Sequence, residues 1–235
     1  MKNGFSEYKY LIDMHCHTNP GSNCSQISPK MLVDIYKKNG VDAVCITNHL
    51  SPEYFENGKE KAFTKFISDF KEAYEYGKKE GVTVILGLEI RFKENANDYL
   101  VFGIDEEFVE KACDYIDKDI ETFYKEMKND KNVILQAHPF RNGMVLANPK
   151  YIDGIEAFNM HPNHNSRVSL ASKYAKEHSD FIVTAGTDFH HLGHECAGLT
   201  ALKTLPKDSF ELADLLKTKD YIFILGGTVA IPYGK

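Results

Sequence analysis

The stretch Tyr10-Leu11-Ile12-Asp13-Met14-His15-Cys16-His17-Thr18 runs from apolar residues into two histidines that are two positions apart. In a β-strand, residues i and i+2 point to the same side, so His15 and His17 can bind one ion together. Asp13 lies two residues earlier and can orient an imidazole from behind. Two surface histidines would show the same spacing, so the interpretation needs support from elsewhere in the chain.

Further blocks of histidine and carboxylate follow other apolar, strand-like runs. They are Ile46-Thr47-Asn48-His49, Gly87-Leu88-Glu89, Ala137-His138-Pro139-Phe140-Arg141, Gly154-Ile155-Glu156-Ala157-Phe158-Asn159 and Gly186-Thr187-Asp188-Phe189-His190. Imidazole and carboxylate are the usual ligands of zinc, manganese and iron. Because the C-terminal ends of barrel strands meet at one mouth, the blocks together predict a metal site there.

Short apolar runs alternate with amphipathic segments along the whole chain, which is typical of βα units. Ser28 and Pro29 mark the start of one helix, and Gly40 marks its end. The apolar spacing between Phe108 and Met127 predicts one long helix. With about seven strands and no internal repeat or linker, we predict one α/β domain over residues 1–235, built as a closed or distorted barrel.

Composition narrows the class of partner. The chain has 235 residues, 43% of them hydrophobic, and a net charge of -6 without a dominant Lys/Arg block. That balance disfavours long nucleic acids, and an anionic substrate would need local compensation by metals or a few placed cations. The oligomeric state stays open.

The five cysteines are odd in number and include no C-x-x-C pair. The N-terminal segment lacks a signal-peptide core, and no apolar run reaches the length of a membrane span. We therefore expect reduced cysteines in a cytoplasmic protein without membrane contact.

The candidate ligands each have an ordinary alternative. Glu89 ends an apolar run, where a carboxylate is costly to bury unless it is paired or coordinated; the alternative is a surface pair with Arg91. For His138, taken alone, the alternative is a histidine packed in the core. Arg141 suits bidentate phosphate binding, and a solvated loop cation is an equal alternative. Arg141 and Asn159 are our predicted substrate-binding residues.

The quoted blocks resemble, in order, the motifs of the polymerase and histidinol phosphatase (PHP) superfamily. The resemblance spans Asp13 to His190 and implies a distorted (β/α)7 barrel, TIM-like, with two or three divalent ions of zinc, manganese or iron at the C-terminal ends of its strands. By analogy, one ion takes His15, His17, Glu89 and Asp188. Glu89 also bridges to a second ion bound by His138, and His49 and His190 help to hold a third.

Three departures from the family pattern concern positions near the ions. Asn48 stands where the second motif usually has an aspartate, so any charge-dependent role is weakened. Cys24 falls where the loop after His17 usually supplies an acidic residue or a histidine to the third ion; it can be a thiolate ligand or a buried free cysteine. Asp98 lies near the place of a histidine that often binds the second ion.

The resemblance implies a metal-dependent phosphoesterase, and we expect a phosphomonoesterase for a small phosphorylated metabolite or nucleotide. Asp13 and His190 are our predicted catalytic residues. His190, His191 and His194 are alternatives, with a metal-bound water, for protonating the leaving group. The substrate stays open among histidinol phosphate, a nucleotide, a sugar phosphate and a short oligonucleotide.

Two other functions stay open. An amidohydrolase-type C–N hydrolase also begins with H-x-H and ends with an aspartate, although His49 and Glu89 fit the phosphoesterase pattern better. A non-catalytic metal-binding module is the other alternative. A scaffold would gain little from burying so many ionisable side chains.

Overall fold

The computed structural model describes residues 5–56 and 58–231. The strands are β1 (Tyr10–Cys16), β2 (Ala43–Ile46), β3 (His49–Leu50), β4 (Thr83–Leu86), β5 (Leu88–Arg91), β6 (Asp98–Phe102), β7 (Val133–Gln136), β8 (Gly154–Asn159), β9 (Ile182–Gly186), β10 (Gly198–Leu202), β11 (Ile222–Leu225) and β12 (Thr228–Ala230). The α-helices are α1 (Pro29–Lys38), α2 (Lys59–Glu80), α3 (Glu106–Ala112), α4 (Ile120–Met127), α5 (Val168–Glu177) and α6 (Ser209–Thr218).

The strands pair as two six-stranded sheets. Their orders are β12-β11-β10-β1-β2-β4 and β3-β5-β6-β7-β8-β9. The sheets are joined by the chain itself, because β2 leads into β3 and β4 leads into β5 after breaks of one or two residues. On the other side, Cys16 at the end of β1 forms a parallel bridge to Phe189, just beyond β9.

Two features depart from a uniformly parallel ring, while the predicted α/β architecture is confirmed. β6 is antiparallel to both β5 and β7, and β10 is antiparallel to β1. β10 pairs with residues 10–12 of β1. β1 meets the segment that follows β9 only nearer its C-terminal end, at Cys16. There, the His17 amide donates to the Phe189 carbonyl at 3.0 Å and the Phe189 amide to the His15 carbonyl at 3.1 Å. These contacts bring the first and last blocks of predicted metal ligands together.

The helices begin where the side chains can cap them. Ser28 accepts a hydrogen bond from the Met31 amide at the start of α1, as predicted, with Pro29 in the first turn. The prediction of one long helix from Phe108 to Met127 was wrong. Asp119 is extended and accepts from the Thr122 amide, so it starts a new helix, α4, and separates it from α3. An aspartate side chain can accept hydrogen bonds from nearby backbone amides and so start a helix. The apolar periodicity that we used contains no sign of such a break.

A large apolar core fills the space between the strands and helices. Its biggest fully buried side chains include Tyr99, Phe102 and Phe123. Among residues 5–56 and 58–231, no helix has both the length and the apolar character needed to cross a membrane.

Candidate metal centre

The predicted blocks meet at one end of the strands. His15 and His17 come from the end of β1, Glu89 from β5, and Asp188 from the turn after β9. His49 begins β3, which pairs in parallel with β5 so that His49 lies directly opposite Glu89. All seven residues predicted from sequence as metal ligands are brought together here: His15, His17, His49, Glu89, His138, Asp188 and His190.

Glu89 lies in the middle of this group and is 1% exposed. Its Oε1 is 3.2 Å from His15 Nε2 and 3.3 Å from His138 Nε2. Its Oε2 is 3.3 Å from His17 Nε2 and 2.9 Å from His49 Nδ1. A carboxylate with two imidazoles at each oxygen has the arrangement needed to bridge two ions.

Asp188 faces the same space from the opposite side. Its Oδ1 is 3.5 Å from His15 Nε2 and 3.4 Å from His17 Nε2. Both of these ring nitrogens are buried and lack a hydrogen-bond partner among the described residues, although buried polar atoms are nearly always satisfied. Such orphaned nitrogens between two carboxylates fit a divalent ion.

Three sets of ligand atoms lie close enough to hold an ion, with all atoms of a set within 4.8 Å of one another. The sets are His15 with His17 and Glu89, His49 with Glu89 and Asp98, and His17 with His49 and His190. They overlap at Glu89, His17 and His49, which is the pattern of a cluster rather than of isolated sites. The donors are nitrogen and oxygen atoms, as zinc, manganese and iron prefer.

Two of the candidate ligands have a backbone conformation that residues other than glycine rarely adopt. His138 has a φ of 31° and Asp188 a φ of 57°. A non-glycine residue in the left-handed region costs about 1–3 kcal/mol and tends to persist where function requires it. The strain at these two positions supports a functional interpretation of the cluster.

Glu156, for which we predicted no role, holds several members of the site in place. Its Oε1 is 2.8 Å from His15 Nδ1. Its Oε2 accepts from the His138 amide at 3.2 Å and from Asn159 Nδ2 at 2.9 Å. With Nδ1 occupied by Glu156, the Nε2 atom of His15 is left facing the carboxylates. The signal in the sequence was the block 154–159 itself, from which we chose only Asn159.

Asp13 occupies a different position from the one its predicted catalytic role requires. The side chain is fully buried, and burial raises the pKa of its carboxyl. It accepts hydrogen bonds from the amides of His15 at 3.2 Å and Thr187 at 3.1 Å, and from the Tyr36 hydroxyl at 2.7 Å. It therefore positions the backbone of two blocks rather than an imidazole ring, because the ring of His15 is already bonded to Glu156.

Removing the hydroxyl that serves Asp13 is expected to destabilise the protein. In Tyr36→Phe, a fully buried carboxylate loses its shortest hydrogen bond. We expect the free energy of unfolding to fall by about 1.5–3 kcal/mol, since bonds to charged groups are worth that much. Urea denaturation of the metal-free protein measures this. Tyr76→Phe, which removes a surface bond to Asp34, is the control and should change it by under about 0.5 kcal/mol. Equal losses of stability in the two variants would show that the buried Tyr36–Asp13 bond contributes no more to stability than a surface bond.

A cavity of about 250 Å³ opens beside the cluster. Its lining comprises Cys24, His49, Glu89, Arg91, Asp98, His138, Arg141, His161, Asn163, His164, Asp188, His190 and His191. His194, another alternative for protonating the leaving group, is not among these residues. The cavity is therefore lined both by predicted metal ligands and by two arginines, Arg91 and Arg141.

Arg141 lies in this cavity, whereas Asn159 lies behind it. The Arg141 guanidinium forms an ion pair with Asp188 and donates to Asn159 Oδ1 at 3.0 Å. Its Nε is buried and without a hydrogen-bond partner among the described residues. Asn159 is 2% exposed and bonds to Glu156 and Asp188 as well. We predicted that Asn159 contacts the substrate. In the structure its side chain is buried and already bonded to Arg141, Glu156 and Asp188, so it supports Arg141 instead.

Arg91 does not form the surface pair with Glu89 that we considered as an alternative. Its guanidinium donates to Asp98 through two bonds, Nε to Oδ1 and Nη2 to Oδ2, both 2.8 Å long. Asp98 is buried, and its Oδ2 also lies 3.7 Å from His138 Nε2. Asp98 thus lies next to the candidate metal ligands, but Arg91 donates to both of its oxygens.

Asn48 stabilises the loop that follows His17. Its Oδ1 accepts from the Thr18 amide at 2.8 Å and from Ser22 Oγ at 3.0 Å, and its Nδ2 donates to Thr18 Oγ1 at 2.8 Å. The amide uses both its acceptor and its donor here, whereas an ionised aspartate would lack the donor. The residue therefore fits a neutral, positioning role.

Charges within the cluster shift the protonation of its members. Burial alone would lower the pKa of His15, but Glu156, Glu89 and Asp188 outweigh it and raise that pKa well above its usual range. Glu89 likewise raises the pKa of His49 against burial. The pKa of Glu89 is held well below its usual range because His15 and His49 outweigh the effect of burial. Burial, His190 and His49 lower the pKa of His17.

We expect the uptake of metal ions to release protons and to weaken as the pH falls. Without metal, the neighbouring carboxylates favour the protonated form of His15 and His49, because they raise the pKa of both rings. An ion must displace those protons, so its apparent affinity rises with pH until the folded-state pKa values are passed. Calorimetric titration with Zn²⁺ in two buffers of different ionisation enthalpy measures the release. Binding heats that are independent of buffer and pH would contradict the expectation.

Comparison with known proteins places the chain in a family. The model of the PHP domain matches residues 13–218. The DNA polymerase III PolC-type of Clostridium perfringens is 26% identical over 135 residues, which is 57% of this chain but only 8% of that polymerase.

Two solved structures share the fold along most of the chain. PsfC from Pseudomonas syringae has a TM-score of 0.67 and 17% identity, covering 92% of this chain and 91% of its own. A two-domain protein from Bacteroides vulgatus, which contains a predicted PHP-like metal-dependent phosphoesterase, has a TM-score of 0.65 and 16% identity over 92% of this chain and 64% of its own. At such identities the likeness shows the TIM-like fold, and the family match carries the assignment. Because that family model matches most of its length, the chain belongs to the PHP domain family.

Proposed function

We propose that this protein is a metal-dependent phosphomonoesterase that acts on a small phosphorylated metabolite or nucleotide. The observation that carries the proposal is the position of Glu89 among four imidazoles, in a cavity that also holds Arg141. The first feature suits clustered divalent ions. The second suits a phosphate, because a guanidinium matches its oxygens in geometry and charge.

The residues that would hold the ions are those that the family resemblance implies, and the contacts described above support a shared site for them. His15, His17, Glu89 and Asp188 would hold one ion, Glu89 and His138 a second, and His49 and His190 a third. When bound, such ions lower the pKa of water and neutralise phosphoryl oxygens, which is what ester hydrolysis at neutral pH requires. Zinc, manganese and iron all suit the donor atoms.

Arg141 would bind and orient the substrate phosphate. Its ion pair with Asp188 joins it to a carboxylate that would face an ion when metal is bound. Asn159 and its neighbour Ser166 support this side, since Ser166 Oγ donates to Asn159 Oδ1 at 2.9 Å and Asn159 holds the guanidinium. The chain's net charge of -6 makes such local positive charge necessary.

His190 has two proposed roles that compete for one ring nitrogen. Its Nδ1 lies 2.9 Å from the Asp188 carbonyl, so Nε2 is the atom left to hold an ion or to give a proton. When Nε2 holds an ion, His191 is the other predicted proton donor that lines the cavity, and it would protonate the leaving alkoxide in place of His190.

The size of the cavity favours a small substrate. Pockets for drug-sized ligands have about 300–1,000 Å³, and this cavity has about 250 Å³. A phosphate and a compact organic group fill such a volume, whereas an oligonucleotide would extend beyond it. Among the alternatives raised by the sequence, sugar phosphates, histidinol phosphate and mononucleotides are therefore the substrates to test first.

The proposal is tested by phosphate release from a panel of phosphomonoesters with added Mn²⁺ or Zn²⁺, with and without chelator. The double variant His15→Ala, Glu89→Ala should be inactive. Glu72→Gln, which alters an exposed surface pair with Lys30, should retain full activity. Arg141→Ala should raise KM more than it lowers kcat. No release by metal-loaded protein, together with hydrolysis of amide or amine substrates, would favour the amidohydrolase alternative instead.

A further inference from the structure

His161 lies in the loop between β8 and α5 and lines the cavity beside the metal centre. The residue is buried, with 6% of its surface exposed, although it belongs to a loop. It is not one of the residues proposed above to hold an ion, and it has no part in the hydrolysis proposed above. A buried polar ring is normally hydrogen-bonded at each of its nitrogens, so the partners of this ring indicate its function.

One hydrogen bond determines which nitrogen of the His161 ring carries the proton. The Asn163 amide donates to His161 Nδ1 at 3.1 Å. A backbone N–H can only donate, so Nδ1 must be the unprotonated nitrogen. The ring is therefore neutral, and its proton is on Nε2. The hydrogen bonds that His161 forms with the described residues use its amide and Nδ1, which leaves the Nε2–H group for a ligand in the cavity.

His161 adjoins both sides of the proposed phosphate site. Its amide donates to Asn159 Oδ1 at 3.3 Å, and the same oxygen accepts from Arg141 Nη2 at 3.0 Å. Its ring centre is 5.6 Å from the ring centre of His190. The Nε2 donor therefore belongs to a residue that neighbours the arginine proposed to bind phosphate and a histidine proposed to hold an ion.

The protein holds the His161 ring in place without a ligand. The ring packs edge to face against His164 and His194, with ring centres 4.2 and 5.5 Å away. At the end of the loop, Ser166 Oγ donates to Asn159 Oδ1 at 2.9 Å, so the loop is bonded back to the strand from which it leaves. A donor whose orientation is fixed in advance loses little entropy when it binds an anion.

We infer that His161 donates a hydrogen bond from Nε2 to a phosphoryl oxygen of the substrate, beside the oxygens that Arg141 binds. The inference rests on the phosphate-binding function proposed above and adds a neutral donor to it. A neutral ring provides this bond without placing another cation next to Arg141 and the ions, where like charges would repel one another. In this role His161 keeps its proton, in contrast to the proton donors His190 and His191.

Two substitutions of His161 separate this role from a purely structural one, because each keeps one half of the imidazole. His161→Asn keeps an acceptor near Nδ1 for the Asn163 amide and removes the Nε2 donor, whereas His161→Gln can place an amide N–H near Nε2 and removes the acceptor. Calorimetric titration of the zinc-loaded protein with inorganic phosphate compares them. We expect His161→Asn to weaken phosphate binding at least about tenfold and His161→Gln by less than about threefold, since a hydrogen bond to a charged group has about the larger effect.

His178 provides the matched control. Its Nδ1 donates to the Tyr174 carbonyl at 2.9 Å, and the residue does not line the cavity, so His178→Asn should bind phosphate like the unaltered protein. The zinc content should be the same in all the proteins compared.

Three results would overturn the inference. Weaker phosphate binding in His161→Gln than in His161→Asn would show that the bond to Asn163, and hence the shape of the loop, is what matters. Unchanged binding in both variants would show that Nε2 does not contact phosphate, and loss of zinc from His161→Asn would make the residue part of the metal site. Phosphate binding that follows the expected order in a protein that hydrolyses no phosphomonoester would overturn the proposed phosphatase function and leave the donor role of His161 standing.

Discussion

Glu89→Gln is expected to lower the metal content of the protein and to lower the phosphatase activity proposed above by more than about 100-fold. Loss of an outer partner of a metal site already costs about 10–100-fold, and Glu89 contacts four ligand histidines directly. Glutamine keeps the size and removes the charge, so two neighbouring ions would lose their shared anionic ligand. Metal analysis after gel filtration and kcat/KM for the best substrate of the panel measure the two effects.

The control for Glu89 is the same chemical change at an exposed site. Glu72→Gln removes a carboxylate that pairs with Lys30 on the surface, and both metal content and activity should stay unchanged. A Glu89→Gln protein with full metal content and near-normal activity would contradict a bridging role. Lost activity with full metal content would assign Glu89 to the chemistry rather than to the ions.

Glu156→Gln is expected to lower zinc affinity and kcat/KM by about 10–100-fold although Glu156 does not line the cavity. The carboxylate serves His15 Nδ1, the His138 amide and Asn159 Nδ2, all of which can donate to it. A glutamine has one acceptor oxygen, so its amide group would face one of these donors. We expect His15 to lose its fixed ring orientation, which weakens the ion that His15 holds.

Three readouts separate this positioning role from a general loss of stability. Calorimetric zinc titration should show the weakened affinity, and the circular dichroism spectrum should stay unchanged. Excess zinc should restore part of the activity, which a merely unfolded variant would not regain. Glu177→Gln, an exposed helix residue paired with Lys173, is the matched control. Unchanged zinc affinity in Glu156→Gln would show that His15 is oriented by its own packing.

The candidate site could be predicted from sequence because its chemistry is concentrated at strand ends. His15 and His17 share a face through the period of two along β1, and the later blocks follow strands whose C-terminal ends meet. The helix starting at Ser28 was equally predictable, since a local hydrogen bond caps it. The α3–α4 break was not, because apolar spacing continues across Asp119.

Contacts between residues of different blocks could not be predicted from spacing in the sequence. Arg91 was weighed as a partner of Glu89, two residues away, yet it binds Asp98, which the antiparallel pairing of β5 and β6 places directly opposite. Asn159 was expected to contact substrate, but it is buried and bonds to Arg141. Such choices depend on which side chains meet across strands and how much water remains between them.

The sequence by itself determined the α/β class and the family and predicted a set of candidate ligands, because residue type and short-range spacing decide which atoms can bind an ion and on which face they lie. Only the tertiary structure decided that Glu89 lies among four imidazoles, that Glu156 holds His15 and that Arg91 pairs with Asp98. These are relations between residues far apart in the chain. They follow from strand pairing, loop anchoring and burial, which act in three dimensions and leave no periodicity in the sequence.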